Sequence, residues 1–155
     1  MSRTTPLALA PLLLCVALAS ACQPSDRRPG LWLSGDPAPL PTDWSFTDAQ
    51  REIAIEVRTP WLLPHSVTIW CASVDGALFV GARDPDEKSW PGWVDRDPEV
   101  RLAIDGRLYD AKLVPIDDPD RIAALRRAYA AKYELPDPPP AGAPPIRYWQ
   151  VTPRP

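Results

Sequence analysis

Residues 67–82 read VTIWCASVDGALFVGA. Two apolar arms flank Asp75-Gly76, a dipeptide that turns readily because both of its positions tolerate positive φ. Val67, Ile69 and Cys71 open one arm, and Leu78 to Ala82 returns as its partner, so the stretch predicts a β-hairpin. Upstream, Ile53, Ile55 and Val57 alternate with Ala54, Glu56 and Arg58, the period of two of a strand with one buried face. Pro60 and Pro64 bracket a loop that holds Trp61. Downstream, Val100, Leu102 and Ile104 alternate again, Asp105-Gly106 makes a second tight turn, and Leu108 to Val114 follows as a strand. Two such hairpins in a row point to an antiparallel meander.

The flanks complete the domain. Ser45 to Arg51 suits a helical turn capped by Ser45 or Thr47, and Ser89 suits the cap of a short helix with Pro91 in its first turn. Asp118-Pro119 reads as N-cap and first residue of a longer helix. Its apolar stripe is Ile122, Leu125, Tyr129 and Tyr133, while Arg126, Arg127 and Lys132 favour the negative end of the helix dipole. Residues 136–145 (PDPPPAGAPP) form a proline-rich connection, and Ile146 to Thr152 alternates as a last strand pairing back into the sheet. The expected fold is mainly β with one or two helices, a small, partly closed antiparallel barrel over residues 44–152.

Composition bounds the function. The chain has 155 residues, 45% hydrophobic and 24% charged, close to a globular average. Proline is the outlier at 22 residues, five of them in 22–44 and eight in 136–155. With 17 basic against 20 acidic residues the net charge is −3, which disfavours nucleic acid as a partner. One histidine and three cysteines leave few ways to assemble a metal site, and none is expected. The aspartates at 117, 118 and 120 lack the spacing of a calcium loop, and capping the helix accounts for them.

The first 22 residues carry an address. Arg3 precedes Leu7 to Leu18, an apolar run of 12 residues, too short for the roughly 20 that span a bilayer and suited to a signal peptide. Leu18-Ala19-Ser20-Ala21-Cys22 resembles a bacterial lipobox. The resemblance implies cleavage after residue 21 and acylation of Cys22. Gln23 in the next position favours the outer membrane, with the domain facing the periplasm. Ordinary secretion with cleavage near Ala21 is the competing reading. Residues 22–43 then read as a proline-rich tether of up to about 3.1 Å per residue, roughly 60 Å in all, and 153–155 as a short tail. Cys15 leaves with the signal and Cys22 is acylated, so Cys71 has no disulfide partner and reads as a small buried hydrophobe.

The order of elements also resembles the split β-barrel of pyridoxamine-phosphate-oxidase-like flavoproteins. The residues carrying it are Asp75-Gly76-Ala77-Leu78-Phe79-Val80, Lys88, and Asp97-Pro98-Glu99-Val100-Arg101-Leu102, with the helix ending at Tyr133. The resemblance implies FMN in a groove between two protomers, hence a homodimer. In such relatives an arginine, a strand-end hydroxyl and a lysine hold the phosphate. Here those positions fall near His65, on Gly81-Ala82, which has no hydroxyl, and on Lys88. Arg83 and Ser89 stand close enough to substitute, and Trp70 and Trp93 to line the ring. Each has a plainer role: Arg83 paired with Asp84 or Asp86, Lys88 a solvated charge, the tryptophans core. His65 beside Ser66 has no acid completing a triad. The sequence thus supports an envelope lipoprotein whose barrel is a cofactor-free binding or assembly module. An FMN-dependent oxidoreductase is the alternative, and haem ligated by His65 ranks last.

Overall fold

The computed structural model describes residues 30–155. Its strands are β1 (Asp36–Pro37), β2 (Ile53–Arg58), β3 (Pro64–Val74), β4 (Ala77–Arg83), β5 (Glu99–Ile104), β6 (Arg107–Pro115) and β7 (Ile146–Thr152). Helix α1 spans Ser89–Val94 and α2 spans Pro119–Tyr133. The sheet runs β1-β6-β5-β2-β3-β4-β7, and β7 also pairs with β6. That last pairing, Lys112–Pro115 against Thr152–Trp149, closes six antiparallel strands into a barrel. The fold is the split β-barrel expected from the sequence.

Local chemistry explains the elements. Asp75-Gly76 and Asp105-Gly106 both sit at positive φ (52° and 74°; 50° and 75°), so both hairpins use the turn that matches strand twist. The Asp118 carboxylate accepts the Asp120 N–H at 3.2 Å, and Pro119 opens α2, which ends at Glu134 in a left-handed conformation. Two smaller expectations are corrected. The 3-10 turn Ser45–Ala49 has Trp44, not Ser45 or Thr47, at its N-cap; the Thr47 hydroxyl donates to Trp44 O (2.7 Å), and the Asp43 carboxylate accepts the Ser45 N–H (2.8 Å) and hydroxyl (2.6 Å). Ser89 is the first helical residue of α1 rather than its cap, a place taken by Lys88.

Two cores share the sheet. Inside the barrel lie Ile55, Val57, Val80, Leu102, Leu113 and Trp149, with Trp90 of α1 packed on Trp149 at 5.2 Å. Outside it, Leu125, Tyr129 and Tyr133 of α2 cover Ala72, Phe79 and Tyr148. Both faces of β3, β4 and β7 are therefore buried along part of their length, which is why their sequences are near-continuous apolar runs.

The segment 30–43 departs from the tether reading. It is bound along the barrel by backbone groups. Asp36 N donates to Gly106 O (2.9 Å), Ala38 N to Leu108 O (2.8 Å), and Ser66 N to Gly30 O (2.8 Å). Leu33 is buried, and its N–H donates to Glu56 Oε2 at 2.7 Å. The physical reason lies in β6, whose second half pairs with β7 while residues 106–108 offer a vacant edge. An edge accepts proline-containing chain wherever the remaining N–H groups fall in register.

Candidate functional site

Directly opposed residues of neighbouring strands share a face of the sheet. Trp70 of β3 opposes Gly81 of β4, and Gly81 opposes Tyr148 of β7, so these three form one row on the outer face. Glycine is needed in the middle. A Cβ at Gly81 would lie 3.3 Å from Tyr148 Cδ1 and Cε1, so its absence lets the tyrosine ring lie against the strand. α2 covers most of this face but leaves one end open. A groove of about 1390 Å³ forms there, larger than the roughly 300–1,000 Å³ usual for a small-molecule site. Its floor is the Trp70–Gly81–Tyr148 row, one wall is α2 through Arg126 and Tyr129, and the opposite wall is the proline-rich segment 136–145.

All five residues singled out in the sequence border this groove: Trp70, Arg83, Lys88, Ser89 and Trp93. Trp70 is half-buried and stacks on Tyr133, with centroids 4.2 Å apart and planes 8° from parallel. Trp93 meets the edges of His65 (5.2 Å) and Trp61 (5.7 Å). Arg83 is exposed, with Nε 3.7 Å from Asp84, and the exposed Lys88 ammonium donates to the Arg83 carbonyl. Ser89 is exposed and supplies a hydroxyl that Gly81 and Ala82 lack. Among the described residues no three His, Cys, Asp or Glu side chains converge as a metal site.

Three groove residues carry chemistry that the sequence did not assign to a site: Arg126, Tyr129 and Tyr148. Tyr129 O–H lies 3.1 Å from Phe79 O and 3.3 Å from Trp70 O, so it is satisfied by the strands beneath it. Tyr148 is different. Its residue is 1% exposed, and its hydroxyl is the one buried side-chain N or O without a hydrogen-bond partner among the described residues. Burial pushes this phenol up to about 12, opposed by the charge of Arg126, so it stays protonated at neutral pH. An unmet buried hydroxyl costs about 1–3 kcal/mol, and this one lies beneath the groove floor. The available signal was the pair Tyr148-Trp149, two adjacent large side chains that must face opposite sides of a strand.

Cys71 is fully buried at the barrel's other core. Burial pushes its thiol up, although the Lys132 ammonium stands 3.6 Å from Sγ and opposes that shift. This agrees with the inert role read from the sequence.

Residues 46–141, well over half of the chain, match the family described as an uncharacterized protein conserved in bacteria, DUF2255. The chain belongs to this family. The match runs from the 3-10 turn into the proline-rich wall, so it takes in most of the groove but not β7. Among solved structures, the conserved hypothetical protein Rv2991 of Mycobacterium tuberculosis is similar at 16% identity. It covers 71% of this chain and 77% of its own, with a TM-score of 0.55. A putative 5-nitroimidazole antibiotic resistance protein of Bacteroides thetaiotaomicron is similar at 12% identity, over 69% and 75% of the two chains, with a TM-score of 0.51. At such identities the likeness is one of fold. No curated protein matches the chain.

Proposed function

We propose that the protein is an envelope lipoprotein, anchored through Cys22 to the outer membrane and facing the periplasm. Its split barrel is a binding module for a planar, anionic aromatic ligand. Cys22 itself lies outside the described residues. The observation that carries the binding reading is the groove itself, floored by Trp70, Gly81 and Tyr148 and walled on one side by Arg126. Aromatic surface from Trp70 and Trp93 and positive charge from Arg83, Lys88 and Arg126 border the same space. Rings are attracted to the first set and anionic groups to the second.

FMN is the reference ligand, because the sequence resembles flavin-binding split barrels. Arg83, Lys88 and Ser89 would hold its phosphate, with Trp70 and Trp93 against the ring, and a bound flavin supplies redox chemistry. The oxidoreductase reading is favoured by one observation, that all five of these residues border one groove.

Titration of the full chain with FMN, followed by tryptophan fluorescence and the visible flavin band, tests the binding reading. Quenching that saturates in the micromolar range is expected. Lys88→Ala should weaken binding by about 1.5 kcal/mol, the scale of a charged hydrogen bond. No quenching at high micromolar FMN removes the flavin. Anchoring is read separately: Cys22→Ala should abolish fatty-acid labelling of the protein, and persistence of the label contradicts the anchor.

A further inference from the structure

Eight large apolar side chains are exposed among the described residues, and five of them are Leu31, Trp32, Trp61, Leu62 and Leu63. The last three form the loop between β2 and β3. The first two follow Gly30, which bridges Ser66 of β3, and Ser66 Oγ donates to Leu31 O at 3.0 Å. Ser66 is two residues from Pro64, where β3 begins, so at about 3.3 Å per residue the two groups lie roughly 7 Å apart along the strand. They occupy one corner of the barrel.

The loop is built to present apolar groups. Thr59 is buried, and its hydroxyl donates to Leu63 O (2.7 Å) and accepts the Leu63 N–H (3.1 Å). Thr59 N donates to Leu63 O (3.0 Å) and Leu62 N to Thr59 O (2.9 Å). With these backbone groups satisfied inside the loop, leaving bulk water costs the loop little. Leu62 sits at φ 65° and is 75% exposed, a backbone conformation uncommon for leucine, held so that its side chain points outward.

The chain enters at this corner. Binding of 30–43 to the barrel shortens the tether to the residues between Cys22 and Gly30, eight peptide steps or at most about 29 Å. Arg27 and Arg28 lie on that link. An anchored Cys22 therefore keeps this corner within about 29 Å of the bilayer. Tryptophan and leucine next to basic residues suit the interface between headgroups and acyl chains.

Resting on the lipoprotein reading, we propose that Leu31, Trp32, Trp61, Leu62 and Leu63 seat in the headgroup region of the bilayer that holds Cys22. The barrel is thereby oriented as well as anchored. Because Trp61 meets the edge of Trp93, that end of the groove lies beside the membrane.

The full chain, reconstituted in phosphatidylethanolamine–phosphatidylglycerol vesicles containing acyl-brominated phosphatidylcholine, tests this through bromine quenching of tryptophan. The mass of the N-terminal peptide reports acylation of Cys22 independently. Quenching of the wild type is expected, with at least a twofold reduction in Trp32→Ser/Trp61→Ser while both proteins sediment with the vesicles. Leu62→Asn, which suits the positive φ, should also lower quenching with the circular dichroism of the fold unchanged. An acylated protein with no quenching, or variants quenched as strongly as wild type, overturns the docking but leaves the anchor standing. Unmodified Cys22 overturns both readings. Loss of a cross-linked dimer in the variants with quenching intact assigns the surface to a second copy instead.

Discussion

One oxygen atom, removed at three positions, should give three different stabilities. Tyr133→Phe takes away a hydroxyl that accepts the Cys71 N–H at 2.9 Å and reaches Cys71 O at 2.8 Å and Arg51 O at 2.9 Å. Those Cys71 groups are the next that β2 would have bonded, had its pairing with β3 continued past Ile53–Ile69. The hydroxyl therefore ends the ladder, and its loss strands a buried N–H and a buried C=O. At about 1–3 kcal/mol for each unmet group, with some relaxation, the cost is about 2–4 kcal/mol. For a domain of this size that lowers Tm by on the order of 10 °C. Tyr129→Phe loses a bond to carbonyls of Phe79 and Trp70 and leaves no donor stranded, so about 1 kcal/mol is expected. Tyr148→Phe removes a hydroxyl that bonds to nothing and should be neutral or slightly stabilising. Urea denaturation with a shared m-value measures all three. A Tyr133→Phe change under 0.5 kcal/mol, or a Tyr148→Phe loss above 1 kcal/mol, would refute the hydrogen-bond assignment.

Further outcomes follow from the same geometry. Burial raises Tyr133 and Tyr148 from the ordinary value near 10 to about 12, so folding favours their neutral forms. That stability is fully present below pH 10 and is lost as pH rises through about 12, at up to about 1.4 kcal/mol per pH unit for each tyrosine. Urea midpoints measured from pH 8 to 12 should be flat and then fall, and a flat profile to pH 12 contradicts the burial. Cys71 should resist thiol reagents in the native state and react on unfolding, read as mass added to its peptide, and rapid native labelling would contradict its raised pKa. Gly35→Ala places a Cβ 2.6 Å from Gly106 O, so β1 should lift from β6 at a cost of about 1–3 kcal/mol, seen as faster proteolysis within 30–43. Unchanged proteolysis would show that the segment is not held there.

The sequence alone carried the strands, turns and helix because these depend on local chemistry. Alternation at Ile53–Val57 and Val100–Ile104, two Asp-Gly turns and the Asp118-Pro119 cap each act within a few residues. The same locality made Arg83, Lys88, Ser89, Trp70 and Trp93 visible as residues that a known pattern brings near one another. Tyr148 and Arg126 were not visible as partners, since their meeting depends on how α2 lies across the outer face of β4 and β7. Only the tertiary structure decided three things: closure of the barrel between residues 112–115 and 149–152, the binding of 30–43 to the vacant half of β6, and the stranded Tyr148 hydroxyl. Backbone N–H and C=O groups are the same in every residue, so the side-chain pattern that marks a strand says little about which distant edge will satisfy it.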